Sequence, residues 1–201
     1  MDIVCLDLEG VLVPEIWIAF ANETGIPEFT RTTRDEPDYD KLMHYRLDLL
    51  EKHGLVLNEI VKVIERIEPL IGAHEFLSRL RERAQVLILS DTFDQFGRPL
   101  MKKLNWPSLF CNSLFADKAT GRVTGYKLRC PHTKLTTVKA LQSCGFETIA
   151  AGDSFNDLEM IRASKAGFLF RSTDAIKKAN PDIPAFENYD EFLEAIFNAL
   201  G

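Results

Sequence analysis

The chain lacks the features that would tie it to nucleic acid or to a membrane. Lys and Arg total 24 against 30 Asp and Glu, for a formal charge of −6 and a pI near 5.3. That balance argues against a nucleic-acid or anionic-membrane partner. It leaves small anionic substrates open, because a site can be locally positive. No apolar stretch is long enough to span a bilayer. No basic segment followed by an apolar one opens the chain as a signal peptide would. Cysteine is scarce, and Cys5, Cys111, Cys130 and Cys144 lie far apart with no C-x-x-C pair. Buried thiols in a reducing cytoplasm are expected, not disulfides or a zinc site. The four histidines lack ligand spacing, and repeats and low-complexity segments are absent. What is present is 201 residues, 46% hydrophobic. That is enough for one sizeable core with an inserted subdomain.

The hexapeptide Asp7-Leu8-Glu9-Gly10-Val11-Leu12 follows directly on the apolar run Ile3-Val4-Cys5-Leu6. The run reads as a buried strand, so two carboxylates stand where that strand ends. In an open α/β sheet this edge is where ligands bind. Paired acids there can hold Mg²⁺, attack a phosphoryl group or exchange a proton with a leaving oxygen. Taken alone, the pattern could also be an acidic turn.

Residues 13–72 read as helical, with no convincing strand. Pro14 is placed to open a first helix carrying Ile16, Trp17, Phe20 and Ala21 up to the Gly25-Ile26-Pro27 break. A polar loop is expected over Thr30–Asp38. Leu42, Tyr45 and Leu49 mark a second helix. Asn58 is a candidate cap for a third, with Ile60, Val61, Ile64 and Ile67 on one face. Beyond Gly72 the pattern changes. A helix over 73–83 leads to a second apolar run, Val86-Leu87-Ile88-Leu89, then Ser90-Asp91-Thr92. Pro99 is placed to open a helix over 99–104. Two strands, 110–116 and 123–128, flank a polar turn. A helix over 132–143 carries Lys134 in its first turn. The run Thr148-Ile149-Ala150-Ala151 meets Gly152-Asp153-Ser154-Phe155-Asn156-Asp157, with a helix following to Arg162. A strand over 167–170 and helices near 174–179 and 189–200 complete the chain. Strands alternating with helices predict a Rossmann-like α/β core with a parallel sheet covered on both faces. The core comprises 1–12 and 73–201, and the all-helical subdomain 13–72 is inserted into it.

Asp7/Glu9, Ser90 and Asp153/Asp157 all follow buried strands, and Lys134 starts a helix. Parallel neighbouring strands would bring all of them to one sheet edge. In order and interval this set resembles the haloacid dehalogenase-like hydrolase superfamily, with its D-x-D-x-[TV], Ser/Thr, Lys and G-D-x-x-x-D motifs. The resemblance covers nearly the whole chain. It implies that Asp7 is a nucleophile forming an aspartyl-phosphate. It implies Mg²⁺ held by the Asp7 carboxylate, the Glu9 carbonyl and Asp153, with Asp157 one turn into a helix steadying the metal. Ser90 would bond a phosphoryl oxygen, and Lys134 would neutralise charge on Asp7 and the phosphoryl group. Glu9 would serve as general acid and then general base. The family usually has Asp where this chain has Glu9, and the extra methylene requires the loop to adjust.

Glu15 and Arg46 fall in the helical insert, and together they suit a zwitterionic headgroup: an ammonium for one and a carboxylate for the other. The alternative is a salt bridge between them on the surface. V-x-x-E after the nucleophile loop, the R-x-x-L-L helix, Ser90-x-x-Phe93 and G-D-x-x-N-D are similar to phosphoserine phosphatases. The bacterial phosphoserine phosphatase/homoserine phosphotransferase type is the nearest in pattern. By that resemblance Glu15, Arg46, Ser90, Asp91, Lys134 and Asn156 line the substrate site. Asp91-Thr92 stands where the family has Gly-Gly. The expected activity is Mg²⁺-dependent hydrolysis of phosphoserine. The alternatives are phosphoryl transfer to homoserine and, from another class, a phospho-accepting receiver-like domain. A homodimer is an expectation from the family alone.

Overall fold

A computed structural model describes residues 1–32, 35–36 and 38–201. Thr33, Arg34 and Pro37, within the loop expected over Thr30–Asp38, lie outside the described residues.

The first strand, β1 (Asp2–Leu6), is the centre of the sheet. Its alternate residues enter two different cores: Val4 and Leu6 one, Ile3 and Cys5 the other. A strand apolar on both faces must be covered on both. Three helices follow before the next strand: α1 (Ile16–Thr24), α2 (Tyr39–Lys52) and α3 (Leu57–Ile64), with a 3-10 turn at Pro27–Thr30. Then come α4 (Ala73–Arg81), β2 (Gln85–Phe93), α5 (Asp94–Lys103), β3 (Ser108–Ala116), β4 (Val123–Lys127) and α6 (Thr133–Ser143). The chain continues through β5 (Glu147–Gly152), α7 (Leu158–Ala163), β6 (Ala166–Phe170), α8 (Asp174–Ala179), β7 (Ala185–Phe186) and α9 (Tyr189–Ala199). The strand order is β4-β3-β2-β1-β5-β6-β7, and every pairing is parallel except β3 with β4. The fold is α/β, as expected. One face packs Phe76, Leu77 and Leu80 of α4 and Phe192, Leu193 and Ile196 of α9. The other packs Val138, Met160, Ile161 and Ile176. The chain winds outward in opposite directions from β1, so a crevice opens at its carboxyl end.

Several boundaries differ from the expectations. The first helix starts at Ile16 and not at Pro14, because Glu15 is still extended (φ −53, ψ 113) and the Glu9 side chain takes the Ile16 N–H. Asn58 does not cap α3. Its N-cap is Val56, held by a bridge to Arg122 and by a Leu57 N–H bond to the Gly121 carbonyl. The second apolar run does not end before Ser90: β2 continues to Phe93, with a register break after Leu89 and re-pairing of Phe93 with Asn112. Pro99 lies inside α5 and does not open it. The helix begins at Asp94, where β2 ends, and simply forgoes one ladder bond at the proline. Among the described residues, 13–72 contains no strand.

Candidate active site

The acids gather because two adjacent parallel strands, β1 and β5, end at one edge. The Asp7 N–H bonds the Ala151 carbonyl at 2.9 Å, which fixes the residue just past β1 against β5. Its Oδ1 accepts from the Leu8 N–H at 2.7 Å and from Lys134 Nζ at 2.9 Å. After β5, a 3-10 turn at Phe155–Asp157 folds Asp157 back. This is a tighter geometry than the helical turn expected there. Asp157 Oδ2 accepts from the N–H groups of Asp153 (3.1 Å) and Ser154 (3.0 Å), and Oδ1 from Lys134 Nζ at 2.5 Å. Carboxylate oxygens of Asp7, Asp153 and Asp157 lie within 4.8 Å of one another, all three residues being buried. Two glycines make room for this. A Cβ at Gly10, whose φ is +74°, would lie 2.5 Å from the Asp153 carboxyl carbon, and one at Gly152 would lie 2.1 Å from that of Asp157.

Two of these three buried carboxylates, Asp7 and Asp157, bond one ammonium, that of Lys134. Burial and then the Asp157 charge push the Asp7 carboxyl well above its usual range, against the pull of Lys134. Burial works to lower the Lys134 pKa, but Asp157 and Asp7 outweigh it and hold the ammonium firmly protonated. The residual negative charge is what a divalent cation neutralises, and the donors are the hard oxygens such a cation takes. The residues therefore fit a metal of that kind.

Above the acids is a cavity of about 810 Å³. Asp7, Glu9, Glu15, Arg46, Ser90, Asp91, Lys134, Asp153 and Asn156 all reach its wall, while Asp157 does not. Asp157 lies beneath, fully buried, and acts on the cavity through Lys134. Ser90 is 2% exposed, and its hydroxyl accepts from the Thr92 N–H at 3.2 Å. The Arg46 guanidinium lies 4.6 Å over the Trp17 ring and donates from Nη2 to the Arg31 carbonyl at 2.9 Å. Its Nε is buried with no hydrogen-bond partner. Burial lowers the Arg46 pKa to about 10, against the pull of the Glu9 and Glu15 carboxylates. Among the described residues no ion pair joins Glu15 to Arg46, so the surface salt bridge is not formed. Glu9 spends its extra methylene on reach: Oε2 accepts from the Ile16 N–H at 2.8 Å and so caps α1. Burial, then the nearby Glu15 charge, pushes its carboxyl up to about 8.

A family model of haloacid dehalogenase-like hydrolases matches residues 1–165. The chain belongs to this family. It is 50% identical over 204 residues to the phosphoserine phosphatase ThrH of Pseudomonas aeruginosa, covering 100% of this chain and 99% of that protein. It is also 50% identical to a phosphoserine phosphatase of Pseudomonas syringae pv. tomato, covering 99% of this chain and 84% of the relative. A solved structure of a phospho-aspartyl intermediate analogue of phosphoserine phosphatase superposes with a TM-score of 0.76 at 23% identity, over 96% of this chain and 97% of that one. At that identity the superposition speaks for the fold alone. Membership in the hydrolase family replaces the receiver-like alternative.

The sequence motifs did not reveal every residue at this hydrolase's cavity. Trp17, Tyr39, Thr133 and Phe155 also line it. Trp17 reads in the sequence as an apolar helix position, and nothing local marks it as the platform under Arg46. Tyr39 sits at the edge of a polar loop. Thr133 had one available signal, its place next to Lys134. Lys139, the other lysine of α6, is exposed and away from the cavity wall.

Proposed function

We propose that this protein is a Mg²⁺-dependent phosphoserine phosphatase. One observation carries the reading: Arg46 and Glu15, unpaired with each other, face the same cavity as the Asp7–Lys134 pair. A cation-and-anion pair opposite a phosphoryl site matches a small zwitterionic phosphomonoester. The 50% identity to proteins named for that activity supports it. In this reading residues 13–72 form a cap over the core built from 1–12 and 73–201.

Arg46 would bind the substrate carboxylate and Glu15 the ammonium. Ser90 and Lys134 would hold the phosphoryl oxygens. An Asp7 carboxylate oxygen would attack phosphorus as the ester oxygen departs, giving an aspartyl-phosphate and serine. A carboxyl titrating near 8 keeps its proton at neutral pH, so Glu9 would donate it to the departing alkoxide. The resulting Glu9 carboxylate would then take a proton from water as that water attacks the phosphorus. Inorganic phosphate leaves and Asp7 is restored. Asp7, Asp153 and the Glu9 carbonyl, with Asp157 behind, would hold Mg²⁺. Bound there, Mg²⁺ would offset phosphoryl charge as a Lewis acid. Transfer to homoserine is not favoured, since the relatives are named for hydrolysis. The test is release of inorganic phosphate from L-phosphoserine in Mg²⁺, by wild type and by Asp7→Asn. Release by the first alone is expected, and no release by wild type would overturn the proposal.

A further inference from the structure

Asp91 stands where four separate parts of the site meet. Its Oδ1 accepts from Thr133 Oγ1 at 2.7 Å, and its Oδ2 from Asn156 Nδ2 at 3.0 Å. Its backbone carbonyl accepts from the Tyr39 hydroxyl at 3.2 Å and from Asn112 Nδ2 at 3.0 Å. The donors come from α6, the turn after β5, α2 and β3.

Two of these connections bear on the chemistry. Thr133 immediately precedes Lys134, at the start of α6. The preceding residue, His132, is left-handed (φ 46) and supplies no side-chain cap. The first turn of α6 is therefore held from outside, by Asp91 on the Thr133 hydroxyl and by Arg129 on the Thr133 carbonyl at 2.9 Å. Asn156 lies in the same 3-10 turn as Asp157, the partner of Lys134. One carboxylate thus braces both the helix that carries Lys134 and the turn that carries Asp157. Each Asp91 oxygen already has a protein donor, which suits a brace better than a receptor for a substrate ammonium.

We propose that Asp91 is a positioning residue that sets Lys134 and Asn156 relative to Asp7. Through the Tyr39 hydroxyl it links that setting to the helical segment above the site. The inference rests on the reading of the cavity as a phosphomonoester site.

The test compares Asp91→Ala and Asp91→Asn with wild type on L-phosphoserine and on p-nitrophenyl phosphate, with thermal melting to confirm folding. Loss of the brace in Asp91→Ala should lower kcat by about 10- to 100-fold on both esters alike, as loss of a group that orients catalytic residues does. Asp91→Asn should recover most of that loss. Its amide oxygen can still accept from Thr133, and the Asn156 amide can turn to match the new amide. A rise in KM for phosphoserine alone, with kcat kept, would make Asp91 a headgroup ligand and overturn the proposal. Equal losses in the two variants, or no loss in either, would also overturn it. Crystal structures of wild type and Asp91→Ala read the same point without any substrate. Displacement of Thr133 and Asn156 is expected, and unmoved side chains would contradict the brace. Wild type that cleaves only the aryl ester would sink the phosphoserine reading and leave the brace to be judged on that ester.

Discussion

At the scale of single residues, Glu9 does two jobs with one carboxyl. It caps α1 through the Ile16 N–H and faces the cavity that Asp7 shares. Its folded pKa of about 8 lies above the ordinary 4.5. The folded chain therefore keeps a proton that the unfolded chain releases as pH rises between those values. Glu9 accordingly costs the fold more stability as pH climbs through that window. Glu9→Gln keeps an oxygen for the Ile16 N–H and removes the titration. Its melting temperature should gain on wild type steadily from pH 5 to pH 8, and a difference flat with pH would mean that Glu9 is already ionised at the low end. Asp7→Asn should lower turnover by about 10⁴-fold or more, as loss of a nucleophile does. It should leave the melting temperature unchanged or higher, because a like charge beside Asp157 disappears. Wild-type turnover in that variant would remove Asp7 from the mechanism.

At the scale of elements, the site depends on how strands end. The loop after β1 and the turn after β5 approach so closely that Gly10 admits no side chain beside Asp153. Gly10→Ala adds the cost of a left-handed φ, about 1–2 kcal/mol, and must push the Asp153 carboxylate aside. A lower denaturation midpoint and a kcat reduced at least tenfold, about what a misplaced catalytic group costs, are expected. A wild-type kcat would show that the contact is dispensable. The same elements show how far the sequence could be read. Ile3–Leu6, Val86–Leu89 and Thr148–Ala151 were legible as strands because both their faces are buried, and the acids after them were legible as a site because parallel strands share an edge. Other features are set by tertiary contacts that leave no local mark. The extension of β2 through the polar Ser90-Asp91-Thr92 depends on Phe93 pairing with Asn112. The start of α3 depends on Gly121 and Arg122, far along the chain. Strand β7, two residues long, has no periodicity to detect. Tyr39 joined the site only because α2 begins over Asp91.

At the scale of the whole molecule, the helical segment 13–72 is tied to the rest of the chain at several points. Tyr126 bonds Asp40, Arg122 pairs with Glu51 at 2.5 Å, and the Leu70 N–H meets the Leu12 carbonyl at 2.9 Å. Trp17 packs edge-on against Phe96 of α5, with centroids 5.6 Å apart. These ties hold the segment whose Arg46 and Glu15 line the same cavity as Asp7. No helix among the described residues is long and apolar enough to cross a membrane. The excess of buried carboxylates predicts that Mg²⁺ stabilises the entire fold. At a concentration about 100 times its Kd, it should raise the melting temperature by about 5–10 °C. An unchanged melting temperature would mean that no cation binds there. In the proposed function Arg46 reads the headgroup of an ester whose phosphoryl group Asp7 accepts. The most direct test is kcat/KM for L-phosphoserine against O-phosphoethanolamine, which lacks only the carboxylate, in wild type and in Arg46→Ala. A preference for phosphoserine of about 10²-fold is expected in wild type, the scale of one charge-assisted pair, as is its disappearance in the variant. A wild type indifferent to the carboxylate, or a preference that survives in Arg46→Ala, would contradict it.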